Sequence, residues 1–317
     1  MVSILIVMIV LVVYIIWDNN RITTVEQDIV IDDLPESLDG FRILQVTDLH
    51  EKQFGENQKR LINSINEVDY DAIIFTGDML DSTESANYDP FYSLLNGINN
   101  KENAWYTPGN TDPYNYQFNP EIKKSEFIIG MEERGVKLLE SMDTVTVDGA
   151  DIHVVNFELS ILRGADDVGR TEGIVRPSYV SDEAYLDYQR KLLTEVNMLD
   201  ELTDSDLLIA LNHYPVVDAR IDHIQNNART VLRDFDLLIA GHYHGGQIRL
   251  PILGALFIPE PWYNSNFLPP KERVKGLWEY KNMKQYVSTG LGSSDVIPFL
   301  KFRLFNPPQI NILNFKR

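Results

Sequence analysis

Five short blocks of polar residues follow apolar runs in this chain, and their residue types are those that bind metal ions. The blocks are Asp48-Leu49-His50, Gly77-Asp78, Gly109-Asn110-Thr111-Asp112, Asn212-His213 and Gly241-His242-Tyr243-His244. Four of the six histidines of the chain fall within them. Carboxylate, imidazole and amide oxygen ligands together suit Mn²⁺, Fe or Zn²⁺ rather than Ca²⁺ or Cu. The blocks therefore predict a hydrolase that uses two divalent metal ions (Mn, Fe or Zn).

The spacing inside the blocks supports a site with two ions. Asp48 and His50 stand two positions apart, so both reach one ion if the chain turns there. His242 and His244 have the same spacing, and the glycines around them let the backbone bend so that the two imidazoles diverge. Asp78 can bridge the ions with one carboxylate. Each block alone is a weak signal, and a lone histidine is more often structural, but together they predict a dinuclear centre.

The apolar runs before the blocks are typical of buried strands. Phe41 to Thr47, Ala72 to Thr76 and Trp105 to Thr107 are apolar on both faces, which is typical of parallel sheets in α/β proteins. Leu207 to Leu211 and Phe235 to Ala240 precede the remaining two blocks. Ligands in such sheets gather beyond the carboxyl ends of the strands, so the five blocks are expected to meet at one edge.

Other segments complete the predicted organisation. Further strands are expected at Val25 to Ile31, Val136 to Phe157, Gln285 to Thr289, Phe302 to Phe305 and Ile310 to Phe315. Helices are expected at Asn57 to Asn66 and at Ser181 to Leu202, the latter capped by Ser181. Leu162 to Pro177 and Pro251 to Pro270 are expected to be loops.

Composition restricts the function classes. The chain has 317 residues and a net charge of −19. Such a charge repels nucleic-acid backbones at long range, so nucleic-acid binding is not expected. Bound cations would still attract a phosphate locally. The absence of cysteine excludes disulfides and thiolate metal sites.

The N-terminal segment is predicted to be a membrane anchor. Val2 to Trp17 is almost wholly apolar, slightly short of a full bilayer span. It lacks the basic n-region and the small-residue cleavage site of a signal peptide, which favours an uncleaved signal anchor. A buried strand or helix is the alternative. We expect an anchor at residues 1–20, including the start of a short polar linker from Asp18 to Arg21, and a catalytic domain at residues 21–317. The protein is then a single-pass protein of the cell membrane, with the domain on the extracytoplasmic side.

The chain resembles the calcineurin-like metallophosphoesterase family, in particular its membrane-anchored bacterial branch. The resemblance is carried by Asp48-Leu49-His50, Gly77-Asp78, Gly109-Asn110, Asp112, His213, Gly241 to Gln247, Gly290 to Ser294 and Pro307-Pro308. It implies a four-layer α/β/β/α sandwich. It also implies one ion held by Asp48, His50 and His244, a second held by Asn110, His213 and His242, and Asp78 as the bridge.

The chemistry implied is hydrolysis of a phosphodiester or phosphoanhydride by a hydroxide that the two metals activate. Its catalytic residues would be Asp78, Asn110, Asp112 and His242. In one block the chain departs from the family, because Thr111 stands where the family has a histidine that protonates the leaving oxygen. A threonine hydroxyl cannot be a general acid near neutral pH. Loss of the acid matters for an alkoxide leaving group and little for a phosphate, so Thr111 favours phosphoanhydrides or esters with acidic leaving groups.

Other residues could supply the missing acid, and the sequence leaves several points open. Tyr114 and Asp112 are close in sequence to Thr111, whereas His153 and His223 are better explained as structural. The substrate is expected to be a phosphorylated small molecule or a lipid, and branch relatives include enzymes that cleave a nucleotide–lipid pyrophosphate. Trp262, Tyr263, Phe267 and Leu268 either form an acyl-binding or membrane-facing lip or pack down as a cap. The two long loops carry five cations, and one or two of them could steer an anionic head group. They are Arg163, Arg170, Arg176, Lys271 and Arg273.

Two alternative functions stay open at this point. The first is a metal-binding protein with weakened catalysis, for which Thr111 is the only support. The second is a surface interaction protein that uses the same fold as a scaffold.

Overall fold

Two six-stranded sheets form the centre of the molecule. The computed structural model describes residues 2–118, 121–169, 182–202, 206–260, 266–294 and 301–317. Its strands are, in chain order, β1 (Thr23–Val30), β2 (Arg42–Val46), β3 (Ala72–Phe75), β4 (Ala104–Tyr106), β5 (Tyr116–Phe118), β6 (Ile122–Lys124), β7 (Lys137–Leu138), β8 (Met142–Val147), β9 (Ala150–Asn156), β10 (Leu207–Leu211), β11 (Leu237–Ala240), β12 (Arg249–Leu250), β13 (Gly254–Ala255), β14 (Gly276–Tyr280), β15 (Met283–Val287) and β16 (Gln309–Lys316).

The strand order places the predicted parallel strands at the centre of each sheet. The first sheet has the order β1-β16-β2-β3-β4-β7, and the second has the order β14-β15-β11-β10-β9-β8. In the first sheet β2, β3 and β4 run parallel, and β16 pairs antiparallel with β2. In the second sheet β9, β10, β11 and β15 run parallel, with β8 and β14 antiparallel at the edges. The carboxyl ends of the central strands of each sheet therefore lie at one edge of that sheet.

Helices cover the outer face of each sheet. These helices are α2 (Lys59–Asn66), α3 (Asp89–Gly97), α4 (Glu126–Glu132), α5 (Phe157–Ser160), α6 (Glu183–Val196) and α7 (Asp218–Asn226). The apolar N-terminal helix α1 (Val2–Asn20) is largely exposed and covers neither sheet. Residues of α2, α3 and α4 join one apolar cluster with the first sheet, and residues of α5, α6 and α7 join another with the second.

A third apolar cluster lies between the two sheets and completes the layering. It includes Ile43 and Ile74 from the first sheet, and Ile209 and Ile239 from the second. Side chains alternate between the faces of a strand, so each central strand contributes to this cluster and to an outer one. The predicted four-layer α/β/β/α sandwich is confirmed.

A buried hydrogen-bond pair ties the two sheets together close to the strand ends. The side-chain amide of Gln45 on β2 donates to the carbonyl of Ala240 on β11 at 2.8 Å and to the hydroxyl of Thr76 at 2.8 Å. Because a buried polar group is expensive to leave unpaired, this bond holds the ends of β2, β3 and β11 in fixed relation.

Helix α1 is long and apolar enough to cross a membrane, with a mean hydropathy of 2.4. It continues through Asn20, so the segment expected as a polar linker from Asp18 is helical. Asp18 is fully buried, and Asn19 exchanges two hydrogen bonds with the backbone of Arg303, at 2.6 and 2.7 Å. Lys52 donates to the carbonyl of Asn19 at 2.6 Å, at the end of the helix where a cation is favoured. The end of α1 therefore packs on the domain.

Several details of the sequence interpretation need correction. Phe302 to Phe305 is not a strand, because only Leu304 forms an isolated bridge, with Ile248. Asp182 caps α6 by accepting from the Ala184 N–H at 2.9 Å, whereas Ser181 lies outside the described residues. The sequence interpretation missed β14, which lies at the edge of the second sheet. The loop predicted at Leu162 to Pro177 is described only to residue 169.

The cluster between the sheets should dominate stability. Ile239→Ala removes a fully buried side chain there and should lower the free energy of unfolding by about 2–5 kcal/mol, because the cavity cannot be refilled. Val30→Ala, at a position that is 50% exposed, should change it by less than about 0.5 kcal/mol. Equilibrium unfolding in urea checks both. Equal effects would mean that the two sheets do not share a close-packed interface.

Candidate metal centre

Two groups of buried side chains converge between the sheets, and they share one carboxylate. The first group consists of Asp48, His50, Asp78 and His244, and the second of Asp78, His213 and His242. Within each group the candidate ligand atoms all lie within 4.8 Å of one another. These six residues were all predicted as ligands from their strand-end context, and all six are buried. Asn110, which was predicted with them, is exposed. The structure thus brings every predicted metal-binding block to one place.

The first group combines two imidazoles with two carboxylates. His50 Nε2 lies 3.2 Å from His244 Nε2 and 3.5 Å from Asp78 Oδ2. His244 Nε2 lies 3.6 Å from Asp48 Oδ1. His244 Nδ1 is buried and has no hydrogen-bond partner among the described residues.

The second group adds an amide oxygen. His213 Nε2 lies 3.3 Å from Asp78 Oδ2, 3.3 Å from Asn110 Oδ1 and 3.1 Å from His242 Nδ1. The Oδ2 atom of Asp78 therefore lies between a histidine of each group, as a bridging carboxylate would.

Backbone carbonyls fix the protonation of the second pair of histidines. His213 Nδ1 lies 2.7 Å from the Thr76 carbonyl, and His242 Nε2 lies 3.3 Å from the Pro259 carbonyl. A carbonyl only accepts, so each of these nitrogens carries the hydrogen and the other nitrogen of each neutral ring has a bare lone pair. The two bare nitrogens face each other at 3.1 Å. That contact is repulsive while both rings are neutral, and positive charge between them relieves it, either a proton on His213 Nε2 or a metal ion, so the donor set fits a metal ion that displaces this proton.

The electrostatics of the site also favour a positive charge. Burial lowers the pKa of His213, but Asp78 and Asp48 outweigh it and raise that pKa to about 9. Burial together with His213 lowers the pKa of His242 to about 3, against the influence of Asp78. Burial raises the pKa of Asp78, and His213, His50 and His242 more than reverse this, so that it lies well below its ordinary value. Burial raises the pKa of Asp48 to about 6.

The site residues adopt a backbone conformation that sequence patterns do not reveal. Asp48, His50, Asp78, His242 and His244 all have positive φ, between 48° and 67°. Non-glycine residues rarely adopt this region, and such strain is held where the surrounding structure imposes it, often at functional sites.

Glycines at the site allow close approaches between the loops. A Cβ on Gly77 would overlap the backbone of Gly109 and stand 2.8 Å from His213 Nδ1. One on Gly241 would overlap the Thr47 hydroxyl and stand 2.6 Å from Asp48 Oδ2.

Asp112 connects the loop that carries Asp78 to the loop that carries Asn110. Its carboxylate accepts hydrogen bonds from the N–H groups of Asp78 and Met79 at 2.7 Å, and of Gly109 at 2.9 Å and Leu80 at 3.0 Å. With these four bonds it fixes the backbone that carries Asp78 and Asn110. Its contribution is therefore best understood as positioning.

Both the hydroxyl and the backbone N–H of Thr111 donate hydrogen bonds within the protein. Its hydroxyl donates to the Leu80 carbonyl at 2.6 Å, and its N–H donates to Asp78 Oδ1 at 2.8 Å. The backbone of Thr111 thus orients the shared carboxylate while its side chain is occupied.

A cleft of about 400 Å³ opens beside Asn110. Its lining includes Tyr114, Asn115 and Glu158 from the first half of the chain, and Asn212 and Tyr214 from the second. The sequence interpretation missed Glu158, Arg220 and Tyr214. Arg220 is almost fully buried and forms an ion pair with Glu158 at 2.7 Å, and the Asn212 amide donates to Glu158 at 3.2 Å. Only the position of Tyr214 after His213 could have drawn attention to it.

The other candidate residues lie elsewhere. His153 on β9 bonds the Thr144 hydroxyl at 2.9 Å, and His223 lies on α7. Both placements agree with a structural role. Arg163 donates to the Thr230 carbonyl, and Arg273 forms an ion pair with Asp218. Arg170, Arg176, Trp262 and Tyr263 lie outside the described residues.

Comparison with known proteins agrees with this geometry. The family model described as calcineurin-like phosphoesterase matches residues 41–246, which is more than half of the chain and contains both ligand groups. The chain therefore belongs to the calcineurin-like phosphoesterase family.

Three relatives illustrate the similarity. The uncharacterized metallophosphoesterase YkuE of Bacillus subtilis (strain 168) is 26% identical over 305 residues, covering 94% of this chain and 87% of that protein. The uncharacterized metallophosphoesterase Cj0846 of Campylobacter jejuni is 28% identical over 317 residues, covering 98% of this chain and 68% of that protein. A transmembrane protein with metallophosphoesterase domain from Danio rerio is 24% identical over 245 residues, covering 75% of this chain and 48% of that protein. The resemblance to this family and to its bacterial members is confirmed.

Metal binding should release protons. His213, with its pKa raised to about 9, carries a proton at pH 7.5 when no metal is bound, and a metal must displace it. Titration calorimetry with Mn²⁺ in two buffers of different ionisation enthalpy should report about one proton released per chain. Affinity should rise with pH up to about 9 and the release should then vanish. His223→Gln should behave like the unaltered chain. Binding without proton release would contradict the charge state assigned to His213.

Asp112→Asn keeps the shape of the side chain but replaces one acceptor oxygen by a donor facing backbone N–H groups. Unfolding in urea should become easier by about 1–3 kcal/mol for each N–H left unpaired, and Mn²⁺ should bind more weakly. Asp32→Asn, at an exposed position, is the matched control and should change neither. Unchanged metal affinity in a destabilised Asp112→Asn chain would show that Asp112 does not position the ligands.

Proposed function

We propose that this protein is a metal-dependent hydrolase that cleaves a phosphodiester or a phosphoanhydride in a membrane-borne substrate. Its membership of the calcineurin-like phosphoesterase family supports the reaction class. The observation that carries the dinuclear form of the proposal is the position of Asp78, whose Oδ2 lies 3.5 Å from His50 Nε2 and 3.3 Å from His213 Nε2.

We assign the ligands by the two groups that converge on Asp78. Asp48, His50 and His244 would hold one ion, Asn110, His213 and His242 the other, and Asp78 both. When bound, two divalent cations (Mn, Fe or Zn) neutralise charge on a phosphate and lower the pKa of a water molecule. Asn110 supports this assignment because its neutral oxygen adds a ligand without adding negative charge to a site that already holds Asp48 and Asp78.

The residues of the chain restrict the leaving group. The Thr111 hydroxyl is committed to the Leu80 carbonyl, so it is not positioned to protonate a departing oxygen. The contribution of a general acid is roughly 10²–10⁴-fold. A phosphate or an acidic alcohol leaves as a stable anion without that help, so Thr111 favours phosphoanhydrides and activated esters.

The substrate class follows from the N-terminal helix. Helix α1 would make this a single-pass protein of the cell membrane, with the catalytic domain on its extracytoplasmic side. A phosphorylated lipid or a small molecule at the membrane surface then lies within reach of the cleft. Weakened catalysis in a metal-binding protein is the second candidate, and the engaged hydroxyl of Thr111 is the observation that favours it.

Hydrolysis of bis(p-nitrophenyl) phosphate tests the reaction class. Turnover should require added Mn²⁺, disappear with chelator, and fall at least about 10³-fold in Asp78→Ala, since removal of the shared carboxylate affects both ions. Asp28→Ala, at an exposed position on β1, should retain full activity. Absence of turnover while Mn²⁺ is demonstrably bound would favour the metal-binding alternative.

Thr111→His tests the leaving-group argument. A histidine there would supply an acid, so turnover of alkyl phosphodiesters should rise by about tenfold or more, whereas turnover of nucleotide pyrophosphates should change little. Thr111→Val, which removes only the hydroxyl, is the matched control and should not accelerate either substrate. If the unaltered chain already cleaved alkyl phosphodiesters as fast as pyrophosphates, the argument from Thr111 would be wrong.

A further inference from the structure

Three large apolar side chains are exposed on turns with left-handed backbone. Ile252 is 89% exposed with φ 70°, Leu268 is 58% exposed with φ 50°, and Phe305 is 45% exposed with φ 51°. Within the described ranges they are the only apolar residues other than glycine that have positive φ.

This combination is unfavourable in two ways for folding in water. Positive φ suits glycine, asparagine or aspartate, and it strains a β-branched residue such as Ile252 most of all. An exposed apolar side chain gains nothing from the hydrophobic effect in water. Polar residues occupy comparable turns elsewhere in this chain, for example Asp148 and Asn282. Folding alone therefore does not explain why these three positions are apolar.

The three turns are joined to one another by backbone hydrogen bonds. Leu304, which precedes Phe305, accepts from the Arg249 N–H at 3.0 Å, and β12 and β13 form the hairpin that carries Ile252. Leu256, at the end of that hairpin, donates to the Ile248 carbonyl at 3.1 Å and accepts from the Leu268 N–H at 2.9 Å. We call the exposed side chains of Ile252, Leu253, Leu268 and Phe305 the lip.

The lip continues directly into helix α1. The ring of Phe305 packs on the ring of Tyr14, with 5.3 Å between their centroids. Tyr14 is about 9 Å from the end of the helix at 1.5 Å per residue, so Phe305 lies beside its apolar part. Since Asn19 bonds the backbone of Arg303, the helix and the lip are held in one orientation.

A cation beside the lip fits the same environment. Lys271 is exposed, and its ammonium donates to the Ile252 carbonyl. Lysines at membrane surfaces place their stems along apolar groups and their charge among the lipid head groups. With a net charge of −19, the protein as a whole is repelled by anionic lipid, so contact must come from a local surface of this kind.

We propose that the lip inserts into the head-group region of the bilayer beside α1, and that the protein contacts the membrane through two elements. This inference rests on the membrane anchoring proposed above. Arg249, at the base of the hairpin, donates to the Gly245 carbonyl at 2.7 Å, next to the ligand His244. Lip insertion therefore brings the metal centre to the membrane surface, where the phosphate of an amphiphilic lipid is presented.

Single cysteines test the insertion, because the chain contains none of its own. The full chain would carry Ile252→Cys, Leu268→Cys or Leu253→Cys, labelled with bimane, in phosphatidylcholine–phosphatidylglycerol vesicles whose phosphatidylcholine is spin-labelled near the head group. Quenching at these positions should be about twofold or more above that at control positions. The controls are Ile129→Cys and Met198→Cys, two exposed apolar residues outside the lip. Leu253 has no left-handed backbone, so it serves if the other two variants fail to fold.

A label at Val10→Cys, near the middle of the apolar run of α1, separates the two proposals when it is read in vesicles whose spin label is placed deep in the acyl chains instead of near the head group. If Val10 is quenched while the lip labels match Ile129, the anchor stands and the lip proposal is overturned. If Val10 is not quenched either, the anchoring fails and the lip proposal fails with it. Lip labels that are shielded from water but not quenched would show that protein covers the lip, such as a second copy of this chain, and would also overturn the proposal.

Discussion

The metal centre is organised around a repulsion that only positive charge relieves. Thr76 and Pro259 carbonyls accept the hydrogens of His213 Nδ1 and His242 Nε2, so that, while both rings are neutral, two bare imidazole nitrogens face each other at 3.1 Å. Asp48 and Asp78 add buried negative charge beside them. Only positive charge between these groups makes the arrangement favourable, so the site is built for cations before any cation binds.

Holding such groups together requires a rigid frame, and the two sheets supply it. The loops after β2, β3, β4, β10 and β11 carry the candidate ligands of the metal centre. The Gln45 amide connects the strand ends across the interface between the two sheets. Asp112 fixes the backbone of two loops with four hydrogen bonds. Glycines at positions 77 and 241 allow the loops to approach closely.

The same frame connects the metal centre to the N-terminal helix. Arg303, fully buried, donates to the carbonyls of Thr289 and Gly292, at 2.6 Å each, and its backbone bonds Asn19 of α1. If α1 anchors the protein as proposed, this shared segment would hold the reactive centre at a fixed height above the bilayer. Thr111, occupied by the Leu80 carbonyl, fits such a role if the leaving group departs without a proton.

The sequence by itself predicted the α/β fold and the candidate ligands, and its resemblance to a known family added the four-layer arrangement. Continuous apolar strands such as Ala72–Phe75, each followed by a polar block, specify parallel strands and polar residues at their carboxyl ends. Local patterns do not record which groups meet in space. The carbonyl partners that set the histidine tautomers, the positioning role of Asp112 and the Glu158–Arg220 pair arise from contacts between distant segments. The strand predicted at Phe302 to Phe305 was wrong for the same reason. Arg303 is buried among loop carbonyls, and strand pairing there is limited to the single Leu304 bridge. Only the tertiary structure, by fixing these long-range hydrogen bonds, decided how the ligands are held and which surface adjoins the helix.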